Sequence, residues 1–215
     1  MKQYKLVIFD WDGTLMDSVD RIVVSMQTAA KVVGLAIPSA HDAKQIIGLS
    51  IPEALTTLFA GITDEQIETM RLQYKYEYLE GSSTPTPLFD NAINLLSLLK
   101  ESGKFLAVAT GKGREGLNRV LQISDTNHYF HTTRCAGEMA SKPDPEMLNS
   151  ILDELAIAPH EALMIGDTSH DLKMAQNAGV DSIGVTYGVH DKQVLEQYKP
   201  KAVVDSLSEL QQVLL

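Results

Sequence analysis

Asp10 and Asp12 stand two positions apart, directly after the apolar run Leu6-Val7-Ile8-Phe9. In extended backbone, residues two apart point the same way, about 6.6 Å from each other. Both carboxylates then address one small volume, with Trp11 turned elsewhere. Two acids so close repel unless a proton or a cation intervenes, and a hard divalent ion such as Mg²⁺ favours carboxylate oxygens. The plain alternative is a turn or helix-capping pair, because Asp and Gly are ordinary turn residues. D-x-D alone divides evenly between the two, but the run Asp10-Trp11-Asp12-Gly13-Thr14-Leu15 at the end of an apolar strand favours the cation.

Other apolar runs end in matching groups. Val108-Ala109-Thr110-Gly111 ends in a hydroxyl, and a helix is expected to begin there. Thr110 Oγ and the N–H groups after it would form a site for phosphate oxygens; taken alone, Thr110 is more readily a helix N-cap. Leu163-Met164-Ile165-Gly166-Asp167 leads through Thr168, Ser169 and His170 to Asp171. Asp167 could complete a cation site with Asp10, and Asp171, one helical turn on, could hold the ion's water; capping is again the alternative. Lys142, before Pro143, could neutralise a phosphoryl group and hold a nucleophilic carboxylate, although an isolated lysine is ordinarily solvated.

The elements that must bring these positions together follow from periodicity. Strands are expected near 5–10, 105–110, 132–136, 162–167, 181–187 and 202–204, and helices near 91–102, 114–122, 145–155, 169–178, 192–197 and 207–213. Continuously apolar strands alternating with helices form a parallel sheet covered on both faces, whose ligands gather at the strand carboxyl ends. Residues 16–84 break the alternation. Val19, Ile22, Val23, Met26 and Ala30 recur at helical spacing, Gly34 ends that helix, and 51–60 and 64–79 are two more helices. Ser82-Ser83-Thr84-Pro85-Thr86-Pro87 returns the chain to the sheet. The expectation is an α/β core of residues 1–15 and 85–215 with an inserted all-helical cap at 16–84, acting as a lid because its stem lies beside the two aspartates.

Bulk properties narrow the function. The 215 residues suit one domain carrying a smaller one, with a net charge of −10 and no basic stripe. That argues against nucleic acid or an anionic membrane as partner, though not against a locally held anionic substrate. Cys135 is the single cysteine, so no intrachain disulfide forms, and a reduced, partly buried thiol is expected. No apolar run approaches a membrane span, and the first residues resemble no secretory signal; a cytoplasmic location is expected.

Together Asp10-x-Asp12-Gly13-Thr14, Thr110-Gly111, Lys142-Pro143 and Gly166-Asp167-x-x-x-Asp171 resemble the four motifs of the haloacid dehalogenase-like hydrolase superfamily. The helical insertion, and Pro87-Leu88-Phe89-Asp90-Asn91-Ala92 after it, resemble the subgroup containing phosphoglycolate phosphatase. The resemblance implies a Rossmann-like core with a helical cap and an Mg²⁺-dependent phosphatase acting through a phosphoaspartate. Asp10 would attack phosphorus; Asp12 would protonate the leaving oxygen and then activate water. Asp10, the Asp12 backbone carbonyl and Asp167 would bind Mg²⁺, with Asp171 and Thr14 supporting them from outside. Thr110, Gly111 and Lys142 would hold phosphoryl oxygens. Asp12 argues against the dehalogenase branch, which lacks the second aspartate. Trp11 stands where leucine or phenylalanine is usual. The expected partner is a small phosphate ester, phosphoglycolate first, bound by a monomer with oligomers left open. Lys44, Gly48, Ser50 and Arg71 are candidates for holding a substrate carboxylate.

Rival readings remain at this point. A phosphosugar mutase uses the same first motif. A dinucleotide-binding domain would use Gly111-Lys112-Gly113-Arg114-Glu115-Gly116, but the acid expected about 20 residues further on is missing from 132–137. A receiver-like switch lacks both the second aspartate and the cap, and a non-catalytic phosphate or nucleotide binder would have lost one of the groups. Lys112 and Arg114 either assist the phosphate or are solvated. His128 and His131 are expected to be loop packing, His170 a surface residue, and Tyr74, Tyr76 and Tyr78 cap packing or a polar rim.

Overall fold

Leu6, Val7, Ile8 and Phe9 form β1 (Leu6–Phe9), and all four are buried. Side chains alternate along a strand, so Val7 and Phe9 enter one packed layer while Leu6 and Ile8 enter another. A strand apolar on both faces belongs in the middle of a covered sheet. The structure, a computed structural model describing residues 3–215, places it there.

After β1 come α1 (Val19–Val32), α2 (Ala40–Gln45), α3 (Ile51–Leu58), α4 (Asp64–Tyr76) and a π-helical turn, Glu77–Gly81. The chain continues through α5 (Ala92–Glu101), β2 (Phe105–Gly113), α6 (Arg114–Ile123), β3 (Thr132–Ala136), α7 (Glu146–Leu155), β4 (Ala162–Gly166) and α8 (Ser169–Ala178). It ends with β5 (Asp181–Val185), α9 (Lys192–Glu196), β6 (Ala202–Val204) and α10 (Leu207–Leu214). The six strands are parallel in the order β3-β2-β1-β4-β5-β6. The order reverses at β1, and that switch point is where a crevice opens beyond the carboxyl ends. Phe9 is level with Val108 on β2 and Ile165 on β4. The register alone therefore sets Asp10 beside the segments carrying Thr110 and Asp167.

Two apolar layers clamp the sheet. Leu95, Leu96 and Leu99 of α5, Leu117 of α6 and Leu210 of α10 cover one face. Met147, Leu148 and Ile151 of α7, with Met174 and Ala175 of α8, cover the other. Each of these Leu, Ile and Met side chains contributes roughly 1.5–3 kcal/mol when fully buried.

The segment from α1 to the π turn has apolar clusters of its own. Met26, Ala30, Ile46, Leu55 and Met70 form one, and Val19, Ile22, Val23, Ala43 and Ile47 form another. The Arg21 guanidinium donates to the Ser82 and Thr84 carbonyls at 2.9 and 3.2 Å, tying α1 to the returning linker. Three details differ from the sequence expectation. The helix expected over 64–79 is α-helical only to Tyr76 and then widens into the π turn. The short helix α2 carries no long apolar stripe, with Ala43 its one buried residue, so periodicity does not mark it. And β2 continues to Gly113 through a register shift between Thr110 and Gly113, where the strand was expected to end at Thr110.

Candidate active site

Asp10 extends β1 by one residue, its N–H donating to the Ile165 carbonyl at 2.9 Å. Its carboxylate is buried and accepts no hydrogen bond. Lys142 Nζ lies 2.8 Å from Asp10 Oδ1 as an ion pair outside hydrogen-bond geometry, and 2.6 Å from Asp171 Oδ1 as both an ion pair and a hydrogen bond. Lys142 is itself fully covered and bridges two carboxylates. Burial alone would lower its proton affinity, but Asp10 and Asp171 outweigh that and raise it.

Asp171 is positioned by the start of α8. Its Oδ2 accepts from the Thr168 N–H at 3.0 Å and the Thr168 hydroxyl at 2.6 Å, and Thr168 Oγ1 accepts in return from the Asp171 N–H. This reciprocal cap satisfies helix-end donors and leaves Asp171 Oδ1 for Lys142. Asp167 Oδ1 accepts from Thr14 Oγ1 at 2.7 Å, and its Oδ2 from the Val189 N–H at 2.9 Å. Two glycines make room for it. A Cβ on Gly13, which has φ +83°, or on Gly188 would fall 2.2 Å from Asp167 Oδ2.

Asp10, Asp167 and Asp171 each offer one buried oxygen, all within 4.8 Å of one another. Burial pushes the Asp10 carboxyl up to about 7 against the pull of Lys142, and Asp171 and Asp12 add to the rise. Asp167 is likewise held well above the ordinary carboxylate range by burial, then by Asp171 and Asp10. Crowded carboxylates, one without a hydrogen-bond donor, are an all-oxygen hard donor set. They fit a small divalent cation such as Mg²⁺.

Asp12 faces away from this cluster, toward the helical segment. Its Oδ1 accepts from the Ser18 hydroxyl at 2.7 Å, and its Oδ2 is 2.9 Å from Lys112 Nζ. Lys112 lies 4.6 Å from the Tyr78 ring centre. Its proton affinity is raised, Asp12 outweighing the effect of burial. Thr110 is buried and faces a cavity of about 620 Å³ between the helical segment and the sheet, which Asp10 and Asp12 also line.

A profile of haloacid dehalogenase-like hydrolases matches residues 7–185, a span holding every group just described except Val189 and Gly188. The chain belongs to the haloacid dehalogenase-like hydrolase family. This hydrolase is 34% identical over 209 residues to the Dickeya dadantii protein named "Probable phosphatase IndB", covering 95% of this chain and 91% of that one. It is 31% identical over 228 residues to the phosphoglycolate phosphatase of Vibrio cholerae, covering 100% and 99%. A solved haloacid dehalogenase-like hydrolase from Bacteroides fragilis, 30% identical, superimposes with a TM-score of 0.89 over 97% of this chain and 100% of that one. The hydrolase is phosphoglycolate phosphatase-like, and it is an enzyme of the phosphatase class.

The structure brings Asp10, Asp12, Thr14, Thr110, Lys142, Asp167 and Asp171 of the hydrolase to one end of its sheet. Thr110 caps no helix, because β2 runs on past it; its Oγ1 accepts from the Lys112 N–H at 3.2 Å. Gly111 lies within β2, against the helical segment. A Cβ there would fall 2.3 Å from the Gly48 carbonyl oxygen, so Gly111 is where the helical segment rests on the sheet. Of the candidates for a substrate carboxylate, Gly48, Ser50 and Arg71 line the cavity, Arg71 already held by Glu68. Lys44 lies outside it, 3.8 Å from Asp20.

Sequence reasoning left Lys112 between assisting the phosphate and being solvated; its side chain, 10% exposed, pairs with Asp12 instead, and the role of Ser18 went unread. Lys112 could have been found: in a strand that continues past Thr110, residues 110 and 112 share a face. His170 is more than a surface residue, with Nε2 3.3 Å from the Gln45 carbonyl. The Gln45 side-chain oxygen lies 3.0 Å from His190 Nε2. Tyr74 and Tyr78 line the cavity while Tyr76, half a turn away, is exposed. His131 Nδ1 accepts from the Leu106 N–H and His128 stacks on Tyr129, which is packing as expected. Cys135 is fully buried and its thiol is pushed up to about 11, chiefly by burial. Among the described residues no helix is long and apolar enough to cross a membrane.

Proposed function

We propose that the chain is an Mg²⁺-dependent phosphomonoesterase that hydrolyses a small phosphate ester through a phosphoaspartate on Asp10. The observation that carries this reading is the position of Asp10: at the sheet's switch point, without a hydrogen-bond donor, 2.8 Å from Lys142 and grouped with Asp167 and Asp171.

Mg²⁺ would be held by Asp10, Asp167 and the Asp12 backbone carbonyl, with Asp171 and Thr14 behind them, and would supply positive charge for the phosphoryl oxygens. Asp10 Oδ attacks phosphorus in line with the departing alkoxide. Lys142 keeps that carboxylate oriented and offers its charge to a phosphoryl oxygen. Thr110 Oγ1 and the N–H groups after it hold the remaining oxygens. Asp12 Oδ delivers a proton to the leaving oxygen and then takes one from the water that opens the acyl phosphate, regenerating Asp10. Ser18 and Lys112 fix Asp12 in place for both transfers.

The same proposal divides the chain into a core, 1–15 and 85–215, and a cap, 16–84, that closes over the site; positions 1 and 2 lie outside the described residues. A cytoplasmic location belongs to it as well, supported by the buried, unpaired Cys135. The deciding experiment is hydrolysis of a chromogenic phosphomonoester with Mg²⁺ and then with EDTA, using wild type and Asp10→Asn. Activity should need both the metal and Asp10, and rapid quenching should trap phosphate on the wild type alone. A wild-type rate in Asp10→Asn would overturn the covalent route.

A further inference from the structure

We infer that the alcohol released from the phosphate ester is uncharged and of ring size, larger and less polar than glycolate. This rests on the phosphomonoesterase reading above and names the half of the substrate that reading leaves open.

The cavity over Asp10 and Thr110 holds about 620 Å³. That is the scale of pockets for drug-sized molecules, roughly 300–1,000 Å³, and far more than a phosphoryl group with two carbons occupies. Its walls away from the phosphate end are Ile22, Met26, Ile47, Leu49, Tyr74 and Tyr78. Such walls reward an apolar guest for the surface it removes from water.

Charge points the same way. A substrate ending in a carboxylate needs a cation, or buried donors, to replace its water. Five Lys and Arg side chains line the cavity, and each is matched to an acid of this chain. Arg71 meets Glu68 at 2.6 Å, Lys75 meets Glu115 at 2.6 Å, Arg114 meets Glu138 at 2.7 Å and Arg119 meets Glu80 at 4.0 Å. These four stand at the rim, with side chains 37% to 48% exposed, where a pair contributes little and water competes. The least exposed of the five is Lys112, its side chain 10% exposed, and it is committed to Asp12 at 2.9 Å. A substrate carboxylate taking Lys112 would have to displace the proposed acid–base group. An uncharged alcohol leaves that pair intact and fills the apolar space. Tyr74 and Tyr78, with ring centres 5.9 Å apart, give it aromatic surface.

The test compares kcat/KM for benzyl phosphate, adenosine monophosphate and phosphoglycolate at saturating Mg²⁺. All three esters carry alkyl alcohols, so leaving-group chemistry differs little. At least one ring-bearing ester should exceed phosphoglycolate by ten-fold or more, mainly through KM. Leu79→Arg, which adds a cation to a half-exposed stretch of the cavity lining, should shift the ratio toward phosphoglycolate by five-fold or more, with its melting curve confirming the fold. Equal or better use of phosphoglycolate by the wild type, or an unmoved ratio in folded Leu79→Arg, overturns this inference and leaves the phosphomonoesterase reading standing. No metal- and Asp10-dependent turnover of any of the three overturns both.

Discussion

Lys112 Nζ stands 2.9 Å from Asp12 Oδ2, while Tyr78 of the π turn presents its ring 4.6 Å from the same nitrogen. One cation thus touches both the sheet's second aspartate and the helical segment above it. Removing it leaves the Asp12 carboxylate held by Ser18 alone. Lys112→Met should lower kcat by about ten-fold or more, a part of the usual worth of a positioned acid–base group, with KM changing less. Lys112→Arg should recover part of the loss. Steady-state kinetics on any accepted ester checks this, and an unchanged kcat in Lys112→Met contradicts it.

A second expectation concerns pH and metal together. Asp10 titrates near 7 in the metal-free fold, above its ordinary 3.8, and Asp167 is shifted in the same direction. Between those values the folded state binds more protons than the unfolded chain, so stability falls as pH rises through that window and stays lowered above it. Mg²⁺ would relieve this cost by replacing the protons. The Mg²⁺-induced rise in Tm should therefore be larger at about pH 8 than at about pH 5, as thermal melts with Mg²⁺ or EDTA will report. Equal rises at both pH values would count against a cation at these carboxylates.

The cradle around Asp167 gives a third. A methyl group on Gly188 would fall 2.2 Å from Asp167 Oδ2 and force that carboxylate to turn. Gly188→Ala should weaken Mg²⁺ binding by roughly 10- to 100-fold, the usual effect of disturbing what orients a ligand. Calorimetric titration with Mg²⁺ measures it directly.

Gly111 gives a fourth. Its added Cβ would meet the Gly48 carbonyl oxygen at 2.3 Å, backbone against backbone, with no flexible side chain to yield. Gly111→Ala should push the helical segment off the sheet and cost about 100-fold in kcat/KM, as displacements near 1 Å do. The layers around Leu96 and Ile151 are untouched by this change, so Tm should move little. By contrast Leu96→Ala, within the buried layer, should cost about 2–5 kcal/mol in urea unfolding and leave the site's affinities intact.

Much of this was legible because it is local. The run Leu6–Phe9 announces a doubly covered strand, and the groups at Asp10, Thr110 and Asp167 each follow a run of apolar residues by one or two positions, so parallel register alone brings them together. Lys142 was legible only by association, since nothing in Ser141-Lys142-Pro143 says that its amine reaches Asp10 and Asp171. What stayed hidden depends on where one segment touches another. Lys112 was left open between a phosphate contact and solvent because the strand was expected to stop at Thr110, and no spacing marked Ser18 as a partner of Asp12. Gly111 matched a phosphate-loop pattern whose reach toward Gly48 no spacing rule contains. The π turn at Glu77–Gly81 departs from the 3.6-residue period on which helix reading depends.

The Arg21 guanidinium, bonded to the carbonyls of Ser82 and Thr84, acts as a clasp across the neck of the molecule. The outgoing and incoming chains are buttoned to each other, so neither can bend without dragging its neighbour. Two backbone bonds add to the fastening, Asp17 N–H to the Pro87 carbonyl at 2.8 Å and Phe89 N–H to the Leu15 carbonyl at 3.0 Å, so the joint is a short paired stem rather than two loose tethers.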